Sequence, residues 1–278
     1  MNPPFKFNSK NQKMRTYFIT GANRGIGLGV VTELLKDNNN KVLVTVRKSA
    51  SVEDLEALGS KNLLIYRCDI GVEDEVDEVF EQIVKDHTTI DVAILNAGML
   101  HSNMKSPTEL TETREEWRDF VDQTNEVIRV NAFAQIYIAN KLLPLVEKSV
   151  EKKIIFLTST LGSAEYTEKS KFDTIIPYSV SKAVLNMIIA KYAAYGRSKG
   201  MTIMGICPGI VNSNNADNEA IEAHMAIFTP GLIRVKEDYV GMQSLEAGSK
   251  KLLKAIEFFT PFHTGRTFSS SGSEHLSA

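Results

Sequence analysis

Short apolar runs, several rich in β-branched residues, recur along the chain at 17–20 (YFIT), 42–46 (VLVTV), 63–66 (LLIY), 92–95 (VAIL), 154–157 (IIFL) and 202–206 (TIMGI). Continuous runs of this length suit strands buried on both faces, as in a parallel sheet. Between them lie amphipathic stretches at 25–37, 73–86, about 116–148 and 178–199, long enough for helices. Strand alternating with helix is the signature of right-handed βαβ units. The pattern predicts an α/β fold: a Rossmann-type doubly wound parallel sheet flanked by helices. Residues 1–15 read as a disordered N-terminal tail and 16–278 as a single domain, undivided by repeats or low-complexity linkers.

The rhythm breaks at 212–240, where NSNNADNEAIEAHMAIFTPGLIRV is polar, then amphipathic, then interrupted by Pro230 and Gly231. In such sheets ligands bind at the strand carboxyl ends. A long insertion there reads as a substrate lid rather than a surface excursion.

Composition changes this picture little. A hydrophobic fraction of 43% and a charged fraction of 24% are ordinary for a globular protein, and 278 residues can bury a core without staples. A formal net charge of −2 gives no reason to expect nucleic acid or an anionic membrane as partner. Cys68 and Cys207 each sit in or beside an apolar run and read as buried thiols. Their number and spacing support neither a disulfide framework nor a metal site, so a reducing, cytoplasmic setting fits. No apolar run approaches the roughly 20 residues that span a bilayer. The basic start, with Lys6, Lys10, Lys13 and Arg15, lacks the apolar core of a secretory signal. His87, His101, His224, His263 and His275 share no metal spacing and read as surface or loop residues. Trp117, with Phe120 and Val121, reads as helix packing.

The candidate chemistry begins with YFITGANRGIG, which places Gly21, Gly25 and Gly27 between a strand and a helix. Such a turn lets backbone approach a diphosphate at the positive end of the helix. A carboxylate at the end of the second strand would receive a ribose 2′-hydroxyl. Here that region reads Thr45, Val46, Arg47, Lys48, with Arg24 as a further cation in the glycine turn. An arginine fork suits a 2′-phosphate, so NADP(H) is preferred and NAD(H) is the alternative.

Tyr178 and Lys182 stand four apart, on one face of a helix that Pro177 suits at its first turn. A phenol titrates near pH 10 by itself, and a neighbouring ammonium is expected to lower that value for proton transfer. Ser159, in IIFLTSTLG, sits just beyond a buried strand, where its hydroxyl could meet a substrate carbonyl.

With these phrases in this order, nearly the whole chain resembles the short-chain dehydrogenase/reductase family. Thr20–Gly27 matches its T-G-x-x-x-G-x-G, CDI at 68–70 its adenine-side Asp as Asp69, and LNAG at 95–98 its N-N-A-G. RVNAF carries its helix asparagine as Asn131, TSTLG its serine as Ser159, YSVSK its Tyr178 and Lys182, and CPGIVNS its P-G loop as Pro208 and Gly209. The resemblance implies that Tyr178 gives a proton to a carbonyl as NADPH gives a hydride, while Ser159 polarises the carbonyl. It implies that Lys182 binds the nicotinamide ribose and depresses the Tyr178 pKa, with Asn131 holding a water that links Lys182 to solvent. It further implies cofactor contacts from Asn23, Ile26, Ile70, Asn96, Ala97, Gly98 and Val211. Ser159 and Tyr178 are 19 positions apart, longer than usual, so AEYTEKSKFDT is expected to bulge at the pocket mouth. HTGRTFSSSG near the end is most similar to the carbonyl-reductase-like, single-domain branch. Met99, Leu100, Tyr166, Met225 and Phe228 are candidates for an apolar substrate wall.

The leading expectation is an NADPH-dependent reductase of a small or medium carbonyl compound. The alternatives are an NAD-linked dehydrogenase of hydroxysteroid- or sugar-type alcohols and a non-catalytic NADP-binding sensor or scaffold. The intact proton-transfer residues speak against the sensor. The resemblance leaves the oligomeric state open: members of the family pair through helices near 124–148 and 178–199, as a homodimer or homotetramer, and single-chain members exist.

Overall fold

The computed structural model describes residues 14–100, 105–109, 113–213, 242–270 and a two-residue strand at 274–275. All six apolar runs lie inside strands: β1 (Arg15–Thr20), β2 (Asn40–Val46), β3 (Leu63–Arg67), β4 (Val92–Leu95), β5 (Lys153–Leu157) and β6 (Thr202–Cys207). Two further short strands, β7 (Thr267–Ser269) and β8 (Glu274–His275), complete one sheet of order β3-β2-β1-β4-β5-β6-β7-β8. The first seven are parallel and β8 runs antiparallel to β7. This is a Rossmann-type, doubly wound α/β fold. Strand order reverses between β1 and β4, which opens a crevice at their carboxyl ends.

The helices are α1 (Gly25–Leu34), α2 (Glu53–Glu56), α3 (Glu73–Asp86), α4 (Arg114–Ile128), α5 (Ala134–Val146), α6 (Ala164–Ser170), α7 (Ile176–Arg197) and α8 (Leu245–Phe258). Successive strand residues point to opposite faces, and each face is sealed by its own layer. Phe18, Leu43, Ala93 and Phe156 pack with side chains of α3, α5 and α7. Tyr17, Ile19, Val44 and Ile94 pack with those of α1 and α8 on the other side.

The stretch read as one helix over 116–148 is two, joined without a break by a wide π-turn at Arg129–Phe133. A capping box starts α4: Thr113 Oγ1 accepts from Glu116 N at 3.2 Å, while Glu116 accepts from Thr113 N at 3.0 Å. The extra segment after Ser159 forms α6, capped by Ser163, with Tyr166 and Ser170 turned inward. Among the described residues no helix is long and apolar enough to cross a membrane. Most of the lid expected at 212–240 and of the tail expected at 1–15 lies outside the described residues.

Two side chains differ in burial from their readings. His87 lies in the loop after α3, as read, but is buried there, and burial next to Lys41 lowers its pKa. Trp117, read as helix packing, is 51% exposed on the outer side of α4, where it meets Phe120 ring to ring at 5.8 Å.

Candidate active site

At the switch point the turn after β1 and the loop after β4 are stitched together. Gly21 takes φ +66° and Gly25 φ +56°, in the left-handed region that favours glycine. Gly21 N donates to Thr45 O at 2.9 Å. Asn96 Nδ2 donates to the carbonyls of Thr20 and Gly21, both at 2.9 Å, and Ala97 N donates to Thr20 Oγ1 at 3.0 Å. Gly27 lies behind the turn: a Cβ there would sit 2.5 Å from Gly21 O and 2.9 Å from Ala22 Cα. No side chain caps α1, so its first amides are left for an anion.

A cleft of about 450 Å³ runs from this turn along the strand ends. Gly21, Asn23, Arg24, Gly25 and Ile26 border it on one side, and Asn96, Ala97 and Gly98 from the loop after β4 border it too. One end is lined by Arg47 after β2 and by Cys68, Asp69 and Ile70 after β3. The other end is lined by Tyr178, Lys182 and Pro208. Of the expected apolar wall, Met99 and Leu100 border the cleft, Tyr166 is buried in α6, and Met225 and Phe228 lie outside the described residues.

Arg24 and Arg47 are both exposed. Lys48 pairs with Glu75 at 2.9 Å, whereas Arg47 has no acidic partner among the described residues. Arg67 donates to the carbonyls of Arg47 at 3.3 Å and Ala50 at 2.5 Å, holding that loop by its main chain. Asp69 Oδ1 accepts from Gly71 N at 2.9 Å, which fixes the loop after β3. No carboxylate stands at the end of β2 to repel a phosphate. Glycine turn, uncapped helix and arginines together fit a 2′-phosphorylated dinucleotide.

The proton-transfer end is built on α7. Ile175, buried at its start, takes φ +49°, a strained position for a β-branched residue. Tyr178 and Lys182 follow one turn apart, with Lys182 Nζ 5.5 Å from the phenol ring centroid. That ammonium is turned onto Leu157 O, to which it donates at 2.8 Å, and burial pulls its pKa down to about 8. Burial pushes the Tyr178 phenol up, Cys207 adds in the same direction, and a hydrogen bond with Ser159 opposes both. The expected net lowering by Lys182 is therefore overturned. Its Nζ stands 5.5 Å from the ring centroid and donates to a carbonyl, and desolvation wins.

Ser159 starts a tight turn at Thr160–Gly162, where its Oγ accepts from Leu161 N at 3.2 Å. Asn186, one turn beyond Lys182, clamps that turn: it accepts from Thr158 Oγ1 at 2.6 Å and donates to Gly162 O at 3.3 Å. Sequence reasoning missed Asn186, although it continues the line of Tyr178 and Lys182 on one helix face.

Asn131 sits in the π-turn and is fully buried. Its Oδ1 accepts from Met99 N at 2.7 Å, and its Nδ2 donates to Met99 O at 2.9 Å and Ser181 Oγ at 3.0 Å. Ser181 Oγ in turn donates to Tyr178 O at 2.7 Å. Both amide protons are spoken for, and the side chain positions the β4 loop against α7. Gln135, also missed, donates to Ala97 O at 2.9 Å and Val130 O at 3.3 Å.

Three expected cofactor contacts do not line the cleft. Gly27 packs behind the turn. Gly209, at φ +76°, faces Gln243, and Val211 bridges to Gln243 and packs on Gly248. Arg129, not singled out from the sequence, does line the cleft.

A description of the short chain dehydrogenase family matches residues 15–223. A short-chain dehydrogenase/reductase of Arthrinium sp. is 28% identical over 267 residues, covering 93% of this chain and 98% of its own. A short-chain dehydrogenase of Pyricularia oryzae is 31% identical over 220 residues, covering 77% of this chain and 83% of its own. Among solved structures, an NADPH-bound carbonyl reductase from chicken fatty liver aligns with TM-score 0.74 at 21% identity, covering 95% of this chain and 94% of that one. The carbonyl reductase Sniffer of D. melanogaster aligns with TM-score 0.75 at 20% identity, covering 94% and 98%.

Proposed function

The chain belongs to the short-chain dehydrogenase family, and from that premise we propose that it is an NADPH-dependent reductase of small or medium carbonyl compounds, reversible as an alcohol dehydrogenase. One observation carries the reading: a single cleft has Tyr178 and Lys182 at one end and, at the other, Arg47 with no carboxylate beside it at the end of β2. The NADPH-bound state of a chicken carbonyl reductase with this fold supports it.

Arg24 and Arg47 would hold the 2′-phosphate, and the amides of the glycine turn would hold the diphosphate. When bound, NADPH supplies the hydride. The chain's own residues handle the proton. A phenol pushed up by burial stays protonated near neutrality and is ready to give its proton to a carbonyl oxygen. Ser159, hydrogen-bonded to that phenol, would hold the carbonyl oxygen beside it. The ammonium of Lys182 stands one turn along the same helix, 5.5 Å from the ring centroid. With its own pKa at about 8, Lys182 can exchange protons under mild conditions. Two free, buried cysteines support placing the enzyme in a reducing compartment such as the cytoplasm.

The test is NADPH oxidation by the purified chain across a library of aldehydes, ketones and quinones. Tyr178→Phe should lower kcat by about 10²–10⁴-fold and leave NADPH affinity intact. Turnover near that of the unmodified chain would remove the assigned acid.

A further inference from the structure

Arg129 opens the π-turn between α4 and α5, and its side chain crosses to the loop after β3, where Nη1 donates to Gly71 O. The crossing needs the missing side chain at that loop: a Cβ on Gly71 would lie 2.6 Å from Nη1 and 3.2 Å from Cζ of Arg129. The guanidinium is thus braced on bare backbone. It borders the same cleft as Cys68, Asp69 and Ile70, and no acid pairs with it among the described residues. Arg129 is exposed, and among the described residues no aromatic ring lines the cleft at this end.

A planar cation next to a cleft that fits a dinucleotide has two chemical uses. It can meet a phosphate as a charge, or it can stack its face on an aromatic base, as guanidinium does and ammonium does not. The phosphate use is already provided by Arg24 and Arg47. Bracing by Gly71 fixes the position of the plane, which stacking requires and a simple charge does not.

We propose that Arg129 is the stacking contact for the adenine base of the dinucleotide, held in place by Gly71. This rests on the dinucleotide reading above. The assignment concerns affinity for the adenylate half and leaves the nicotinamide half untouched.

The experiment is calorimetric titration of the full chain with adenosine 2′,5′-bisphosphate and, separately, with reduced nicotinamide mononucleotide. Arg129→Ala should weaken the bisphosphate about tenfold, within the range of a desolvated cation–π contact. Arg129→Lys should weaken it nearly as much, because it keeps the charge and loses the plane. Gly71→Ala should do the same with Arg129 still present, since the new methyl displaces the flexible guanidinium. Affinity for the mononucleotide should not change in any variant.

Arg129→Lys matching the unmodified chain would assign a phosphate contact and overturn the proposal. So would Arg129→Ala within twofold, or equal losses for both fragments. If the unmodified chain binds neither fragment, the dinucleotide reading itself fails and this assignment falls with it.

Discussion

Lys182→Met should make the protein more stable while removing its activity. The Lys182 ammonium is 5% exposed and its pKa falls from 10.5 to about 8. Keeping it charged near neutrality therefore costs the fold about 3 kcal/mol. Methionine fills a similar volume without charge but leaves Leu157 O without its donor, a loss of about 1 kcal/mol. The net gain is about 2 kcal/mol, or roughly 4 °C in unfolding midpoint for a chain of this size. The gain depends on pH in a defined direction. The folded-state pKa lies below the unfolded one, so between about pH 8 and 10.5 only the unfolded chain holds the proton. Stability of the unmodified protein climbs as pH rises through that window, whereas the variant has no such group. Denaturant unfolding of dinucleotide-free protein should show a gap of about 2 kcal/mol near pH 7 that shrinks to a few tenths near pH 9.5. A variant less stable near pH 7, or a gap indifferent to pH, would refute the reasoning.

Arg47→Asp should move the ratio of kcat/KM for NADPH over NADH toward NADH by roughly tenfold or more, since a carboxylate repels a 2′-phosphate and accepts from a 2′-hydroxyl; steady-state kinetics with both cofactors checks it. Gly27→Ala should destabilise by several kcal/mol, because the clash is with the backbone of Gly21 and Ala22 rather than with a mobile side-chain end; thermal unfolding reads it. Asn186→Leu should lower kcat about tenfold with NADPH affinity unchanged, since only the turn carrying Ser159 loses its tethers; a weakened NADPH affinity at unchanged kcat would reject that role.

What could be read from the chain was whatever repeats at short range. Five of the six apolar runs are buried strands, because β-branched residues without polar alternation have nowhere else to go, and the sixth, at 63–66, is the half-buried edge strand β3. β7 and β8, of three and two residues, are too short to carry a pattern. α8 is amphipathic, yet it follows a stretch with no rhythm and was not separated from it. The π-turn escaped because a period of 3.6 does not reveal one extra residue. In the site, Gly21, Tyr178 and Lys182 announce themselves through local spacing. Asn186, Gln135 and Arg129 do not, because each binds a main-chain carbonyl brought near by folding, and carbonyls leave no trace in side-chain order. The phenol departs from expectation for a related reason. Proximity to a cation is visible four residues away, but desolvation depends on everything packed around it.

The wide turn at Arg129–Phe133 acts as a splice in an otherwise continuous rod. One added residue rotates everything downstream by about 100° about the axis. The half before it can then seat against α7 while the half after it seats against α3, each in its own phase. Side chains at the joint belong to neither phase. They project in directions a regular helix would never offer, so losing a single amino acid here would leave both halves helical and aim Asn131 at the wrong neighbour.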